Sequence, residues 1–277
     1  MGLRINTNMM SVNAQRNLRG TKMSMESASE KLSSGYRINK SADDAAGLAI
    51  SENLAGGIRS FRQASRNAQD GISFIQVAEG GMSEVTSMVL RLRELGVQAA
   101  SDTIGPKERE YLDREVQQLK LEMERIAQGT EYNGMKLLNG TGNQLDFQIG
   151  IKNDEFLDRI SYNPNVTNVS LKSLGLEDIS ANTKESAQQS LAKLDESIGI
   201  VNSNRAQLGA LQNRLNSTIN NTEVAIENYS AAKSRIRDAD VATETAELTR
   251  NNIMLQSGIS VLAQANQVNT MALKLLG

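Results

Sequence analysis

The residue types that could carry chemistry are few, and they restrict that chemistry sharply. The 277 residues include no His and no Cys. This excludes thiolate nucleophiles, His-based triads, and zinc or haem sites held by these side chains. A general base would have to be Asp, Glu, Lys or Tyr, and a metal site would have to consist of carboxylates.

Asp43-Asp44 is the carboxylate pair whose spacing could suggest a metal site. No third acid lies nearby in a suitable register. Ser41 followed by Asp44 also resembles the capping box that starts a helix, where acids face the positive end of the helix dipole. We therefore interpret Asp43-Asp44 as the start of a helix. We predict that the chain has no catalytic, metal or cofactor site and is not an enzyme.

The charge balance limits the partners. Lys and Arg total 30 against 32 Asp and Glu, which gives a net charge of -2. The chain therefore has no overall positive charge that would favour binding to nucleic acid. No apolar run is long enough to span a membrane. The first residues show no apolar segment of a signal peptide, so any export is expected to proceed without signal cleavage.

The elements that would position these residues are mainly helices. Aromatic residues make up 3% of the chain and Pro occurs twice, which favours long helices packed through aliphatic side chains. Two uncharged columns with seven-residue spacing predict a coiled-coil helix over 44–100. Its predicted seam comprises Leu54, Phe61, Ile75, Met82, Val85, Val89 and Leu92.

Two further helices are predicted over 106–128 and 184–237. The seam of the longer one contains Leu194, Val201, Leu208 and Leu215, with a companion column of Leu191, Ile198, Ile219 and Ile226. Between 140 and 181 the helical period disappears. Alternation over 145–151 and a return over 157–162, across 152–154, predict a small β hairpin.

Both ends carry apolar helical stripes, and the C-terminal segment is nearly uncharged. After Arg250, Lys274 is the only charged residue, and so apolar a segment indicates an interface. The residues predicted to pack there are Leu18, Met25, Leu32, Leu248, Leu255, Ile259, Leu262, Leu273 and Leu276.

The predicted fold is an elongated, mainly α, antiparallel coiled-coil bundle with a small β appendage and paired terminal helices. We divide it into a terminal helical domain (1–43 with 238–277), a rod domain (44–139 with 182–237) and a β-hairpin region (140–181).

Several sequence blocks closely resemble bacterial flagellins, the filament subunits of flagella. They lie at 5–8, 32–39, 42–50, 67–73, 130–138 and 260–267. Many flagellins carry large outer domains in the middle of the chain, where this sequence has only the short β region. The sequence thus resembles a minimal flagellin.

This resemblance implies a subunit that polymerises with copies of itself into a filament, its two ends lining the inner core. It also implies export of the unfolded chain by a type III apparatus and an extracellular location. The implied partners are an export chaperone at about 238–277 and the filament cap and hook-junction proteins.

Arg91, Leu95 and Gln98 fall on one helical stripe outside the predicted seam. From spacing alone they form a flank of the coil. The resemblance implies a sharper role for them together with Glu115: contact with a neighbouring subunit and with a host Toll-like receptor.

Two other functions remain open. A hook–filament junction protein would share both ends but would not propagate a filament. A secreted coiled-coil adaptor or effector would not need apolar, nearly uncharged ends. The block at 263–267 favours the propagating subunit.

Overall fold

The computed structural model describes residues 7–274, with side chains described over 7–267. Within this range the helices are α1 (Met9–Ser34), α2 (Ala45–Ala99), α3 (Pro106–Gly129), α4 (Lys184–Arg237) and α5 (Val241–Lys274). The strands are β1 (Glu131–Tyr132), β2 (Met135–Lys136), β3 (Leu145–Gln148) and β4 (Arg159–Tyr162). They form two antiparallel hairpins, β1-β2 and β3-β4. The prediction of a helical fold with a small β region is confirmed.

The chain forms two compact units. The first unit comprises the described parts of Met1–Gly57 and Glu227–Gly277, and the second comprises Ile58–Ile226. The domain division at 43/44 and 237/238, with a separate β region, stays a prediction.

The start of α2 is set by two carboxylates that bind backbone N–H groups. Asp44 Oδ1 accepts the N–H of Gly47 at 2.8 Å, so Asp44 is the N-cap. Asp43 Oδ2 accepts the N–H groups of Lys40 and Asn39, both at 3.0 Å, and these bonds lower the pKa of Asp43. The capping box predicted at Ser41 is therefore wrong, since the cap lies three residues later. Among the described residues, no cluster of three or more carboxylate side chains is arranged to hold a metal ion.

The second unit has a core along α2 that includes the predicted seam residues Ile75, Met82, Val85, Val89 and Leu92. Leu54, in the first unit, and Phe61 are half-buried. Leu95 is also buried, because α2 uses a third position of each heptad, the one that Phe74 also occupies.

Helix α4 runs antiparallel to α2 in this unit. Gly71 lies against Leu215, Gly96 lies against Leu191, and Arg93 pairs with Asp195. Leu194, Val201, Leu208 and Leu215 are buried in the core. The predicted companion residues Leu191, Ile198, Ile219 and Ile226 are half-buried, whereas Ser190, Ser197 and Asn204, one residue before that column, are buried. A search for apolar periodicity does not detect Ser190, Ser197 and Asn204, because these residues are small or polar.

The β region packs on α2 through an aromatic cluster. Phe74 makes edge-to-face contacts with Tyr132, Phe147 and Tyr162, with ring centroids 5.7, 5.6 and 4.9 Å away. The predicted return strand is shorter than expected, because β4 begins at Arg159 and Leu157 lies in the connecting turn. Asp154 and Asp158 organise that turn by accepting backbone N–H groups.

An irregular segment over 171–181 lies along α3 and supplies buried apolar side chains, including Leu174, Leu176 and Ile179. Its backbone is bound by side chains of α3. Lys120 Nζ donates to the carbonyls of Glu177 and Ile179, at 2.5 and 3.3 Å, and Asp113 Oδ1 accepts the N–H of Ala181 at 2.7 Å. Glu124 Oε2 accepts the N–H of Leu171 at 3.0 Å. These bonds satisfy a backbone that has no strand or helix partner.

Candidate assembly surface

The first unit contains an antiparallel pair of helices, α1 and α5. Three contacts set the register of the pair. At one end Lys31 Nζ lies 3.2 Å from Glu244 Oε1, in the middle Gly258 lies against Leu18, and at the other end Asn8 Nδ2 donates to the carbonyl of Ala265 at 2.9 Å.

The inward stripe of this pair contains most of the predicted terminal residues. Those described are half-buried: Leu18, Met25, Leu32, Leu248, Leu255 and Leu262. The side chain of Leu273 and the whole of Leu276 lie outside the described residues. Their predicted packing therefore stays a prediction.

Ile259 lies outside the inward stripe, because 55% of its surface is exposed, and its predicted packing in the filament core stays a prediction. The inward column lies one residue earlier, at Asn251, Gly258 and Ala265. Leu18 occupies the space beside Gly258, so a small residue is needed there and the larger Ile259 points away from α1.

Both helices also expose large apolar side chains. We call this set the outer apolar face. It comprises Met9, Met10, Val12 and Met23 of α1 and Val241, Ile253, Met254, Ile259 and Val261 of α5. Met10 of α1 and Val261 of α5 line the same groove, and large apolar side chains left in water in this number indicate an interaction site.

The connections that lead into α2 and α5 are held together in the first unit. The N–H of Arg37 donates to the carbonyl of Arg237 at 2.7 Å, and the N–H of Ala239 donates to the carbonyl of Gly35 at 2.9 Å. The Arg237 guanidinium lies 4.7 Å from the ring centroid of Tyr36 and pairs with Glu52 at 2.5 Å.

The first residues of α5 are fixed electrostatically. Asp240 accepts the hydroxyl of Thr243 at 2.8 Å and the N–H of Ala242 at 3.0 Å. These hydrogen bonds, that from Thr243 most strongly, lower the pKa of Asp240. The negative charge thus sits at the positive end of the α5 dipole.

The predicted contact stripe on α2 is brought together only in part. Arg91 pairs with Glu115 at 2.8 Å and with Glu94 at 2.9 Å, and these bonds, that to Glu94 most strongly, raise the pKa of Arg91. Gln98 is exposed. Leu95 was placed wrongly outside the core: it is 1% exposed, because its heptad position faces the packed interior.

Two surface features of the second unit were missed. Arg59, Arg62 and Arg66 are exposed at helical spacing on α2, a pattern that a search for charge periodicity would have found. Phe156 is 86% exposed beside the exposed Leu157 in the β3-β4 turn, and no pattern in the sequence predicts that both side chains point outward.

No helix in the described part of the chain is long and apolar enough to cross a membrane.

Comparisons with known families cover most of the chain. The family described as the bacterial flagellin N-terminal helical region matches residues 5–143. The bacterial flagellin C-terminal helical region matches residues 191–276.

Full-length relatives show the same likeness. The chain is 45% identical over 276 residues to a flagellin of Halalkalibacterium halodurans, with 98% of this chain and 99% of that protein covered. It is 44% identical over 283 residues to the flagellar filament 33 kDa core protein of Treponema phagedenis, with the same coverage. It is 40% identical over 308 residues to a Bacillus subtilis flagellin, with 99% and 100% covered.

Two solved structures are similar. Bacillus cereus flagellin matches with a TM-score of 0.51 and 30% identity, over 57% of this chain and 88% of that chain. A protein described as flagellar hook-associated, from Vibrio parahaemolyticus, matches with a TM-score of 0.58 over 71% of this chain and all of that chain. Its identity is 12%, so this second likeness concerns the fold alone. The family matches and the full-length relatives agree, and this chain belongs to the bacterial flagellin family.

Proposed function

We propose that this chain is the structural subunit of a bacterial flagellar filament and that it polymerises with copies of itself. The outer apolar face carries this proposal, because it leaves large apolar side chains of α1 and α5 in water in the single chain. Burying each such side chain against another copy would contribute about 1.5–3 kcal/mol. Relatives named as flagellins and as a filament core protein, matched over nearly their whole length, support it.

The most direct experiment adds purified monomer to short fragments of filaments grown from the same chain. We expect the fragments to lengthen in proportion to the monomer added. Folded monomer that leaves fragment length unchanged would overturn the proposal and favour the junction-protein alternative, which joins a filament without propagating it.

A matched pair of variants tests the outer apolar face. Ile253→Gln removes an exposed apolar side chain of that face, whereas Asn252→Gln changes the exposed polar residue beside it. We expect Ile253→Gln to slow elongation and Asn252→Gln to leave the rate unchanged. Equal rates for both variants would exclude Ile253 from the contact.

The terminal residues predicted to pack in the filament core extend this proposal. We assign to the inward stripe of α1 and α5 the task of holding the two helices together, so that the outer apolar face presents a fixed pattern to neighbouring copies. Leu273 and Leu276 are assigned to the same core on the sequence pattern alone.

We also propose that the chain is exported unfolded through a type III apparatus and acts outside the cell as part of the flagellum. Its remaining partners would be an export chaperone at 238–277 and the cap and hook-junction proteins. Family membership supports these assignments. Appearance of the intact chain in the culture medium, dependent on the flagellar export apparatus, tests them.

The surface around Arg91 and Glu115 is proposed to contact a neighbouring subunit, and to be the surface that a host Toll-like receptor binds. Arg91 and Gln98 are exposed and can reach a partner, whereas buried Leu95 would act through the fold. Arg91→Ala should weaken both elongation and receptor signalling. Arg93→Ala is the control, because Arg93 is a similarly exposed arginine paired with Asp195. Unchanged signalling by Arg91→Ala would remove the receptor role.

A further inference from the structure

The described methionine side chains differ sharply in their exposure to water. Four of them belong to the outer apolar face, with between 45% and 67% of each residue exposed: Met9, Met10, Met23 and Met254. We call these four the outer-face methionines. By contrast, Met82 and Met123 are fully buried in the core of the second unit. An oxidant dissolved in water would therefore reach the outer-face methionines before it reaches the core.

Methionine is also the side chain of this chain that is most readily oxidised by a hydroperoxide. The sequence contains 11 Met but no Cys and no Trp. Because no thiol competes for the oxidant, a hydroperoxide that meets the folded monomer reacts with the exposed thioethers.

The outer-face methionines lie on the surface of the α1–α5 pair and not in the contact that holds it together. Met10 lines a groove with Val261, and Met23 lies beside Lys31 and Glu244, whose side chains pair at 3.2 Å. A change in the polarity of these side chains would therefore alter the outer surface and leave the inward stripe of the pair as it is.

We propose that the outer-face methionines form a modification site, at which a hydroperoxide converts methionine to methionine sulfoxide and so prevents the free subunit from joining a filament. The inference rests on the proposed function, and it adds a chemical condition that regulates assembly.

The chemistry is the transfer of one oxygen atom. With hydrogen peroxide, a lone pair of the methionine sulfur attacks one peroxide oxygen, so that an S–O bond forms while the O–O bond breaks. The other oxygen leaves as water and takes both hydrogens of the peroxide. The sulfur is oxidised by two electrons and the peroxide is reduced by two, so no further reactant is needed.

The product changes what the outer apolar face can bury. A thioether is apolar and flexible and suits a contact with another copy, whereas the oxygen of a sulfoxide accepts hydrogen bonds. Burying that oxygen without a donor carries a desolvation penalty. In the monomer the oxygen stays in water, and the core methionines keep their thioethers. Oxidation should therefore block assembly while the single chain stays folded.

The test measures seeded elongation by monomer that has been treated with hydrogen peroxide and then freed of it. Treated wild-type monomer should elongate untreated fragments at about a tenth of the untreated rate or less. Peptide mass spectrometry should show added oxygen at the outer-face methionines before Met82 and Met123, and helix content should not change. Reduction by methionine sulfoxide reductases for both sulfoxide epimers should restore the rate.

Two variants locate the effect. The variant Met9→Leu/Met10→Leu/Met23→Leu/Met254→Leu keeps the apolar volume without the sulfur, so peroxide treatment should not change its rate of elongation. Met135→Leu is the matched control, because Met135 is an exposed methionine of β2 outside the outer apolar face. Peroxide should slow this control as much as it slows the wild type.

Assembled filaments supply an independent measurement. Because the proposed contacts bury the outer-face methionines, these residues should gain oxygen more slowly in filaments than in monomer. Equal oxidation in the two states would show that assembly leaves them accessible and would overturn the proposed site.

The outcomes separate this inference from the proposed function. Untreated wild-type monomer that does not elongate fragments would overturn the proposed function. If untreated monomer elongates, equal elongation by monomer oxidised at all four positions would overturn the modification site alone. A quadruple leucine variant that peroxide slows like the wild type would also overturn it, as would wild-type monomer that stays slow after reduction. The comparison of oxidised with reduced wild type needs no substitution, so it holds even where leucine alters the contact.

Discussion

Gly258 of α5 lies so close to Leu18 of α1 that a Cβ at position 258 would be 2.7 Å from Leu18 Cδ2. The two helices thus meet where one of them has no side chain. This contact, the ion pair of Lys31 with Glu244 and the hydrogen bond from Asn8 to Ala265 fix one register for the pair. The register decides which apolar side chains face outward.

Gly258→Leu should force α1 and α5 apart. Overpacking of a tight contact costs about 1–3 kcal/mol. On heating, α1 and α5 of this variant should therefore unfold at a lower temperature than in the wild type, and filament elongation should be slower. Gln256→Leu places the same side chain on an exposed position two residues earlier and is the control. If Gly258→Leu melts and elongates like that control, the close contact does not set the register.

Leu95→Ala should destabilise the second unit by about 2–5 kcal/mol, because it removes a buried side chain and leaves a cavity. Leu90→Ala, on the same helix but 46% exposed, should change the free energy of unfolding by about 0.5 kcal/mol or less. Urea unfolding of both variants measures the difference. Similar values for the two would contradict the placement of Leu95 in the core.

Lys120→Met should weaken the attachment of the 171–181 segment to α3. The apolar stem is retained, but the carbonyl of Glu177 loses its ammonium donor, which costs about 1–3 kcal/mol. Amide hydrogen exchange of 171–181 should rise while that of the α2 core stays slow. Lys193→Met, at an exposed position, should leave both rates as they are.

The stability of the second unit should fall in alkali because of Tyr162. Burial raises the pKa of this hydroxyl, which bonds to the carbonyl of Leu137 at 2.8 Å and to Thr167. The folded state therefore keeps its proton above pH 10, where an unfolded tyrosine releases it. The stabilisation is complete below about pH 10 and is lost as the pH rises toward the folded-state pKa.

Tyr162→Phe tests this directly through unfolding curves between pH 8 and pH 11. The variant should lose about 0.5–1.5 kcal/mol near neutral pH, and its stability should decline less in alkali than that of the wild type. Tyr111→Phe, at an exposed tyrosine, should follow the wild-type curve. Parallel curves for Tyr162→Phe and the wild type would exclude this role.

The long helices could be predicted because apolar periodicity reports burial directly. The helix expected over 44–100 is observed as Ala45–Ala99, and the one expected over 106–128 is observed as Pro106–Gly129. Pro106 and Gly105 mark a start that backbone chemistry alone fixes.

Positions whose burial depends on a partner could not be predicted. Leu95 faces the interior because α2 has neighbours on more than one side, which widens its buried stripe beyond two positions per heptad. Ser197 and Asn204 are buried although they are polar, and α5 meets α1 at Gly258, which has no side chain to show in an apolar pattern. The segment over 171–181 shows no apolar periodicity, so its packing on α3 could not be predicted. Its backbone forms hydrogen bonds with side chains of α3 and not with a neighbouring strand.

The central claim is that α1 and α5 complete their packing on copies of the same chain. It is tested most directly by elongation of filament fragments with a chain that ends at Ile253 and so lacks the rest of α5. We expect this chain to keep the helix content of the second unit and to add no length to the fragments, while the full chain extends them. Long filaments grown from the shortened chain at the full-chain rate would contradict the account.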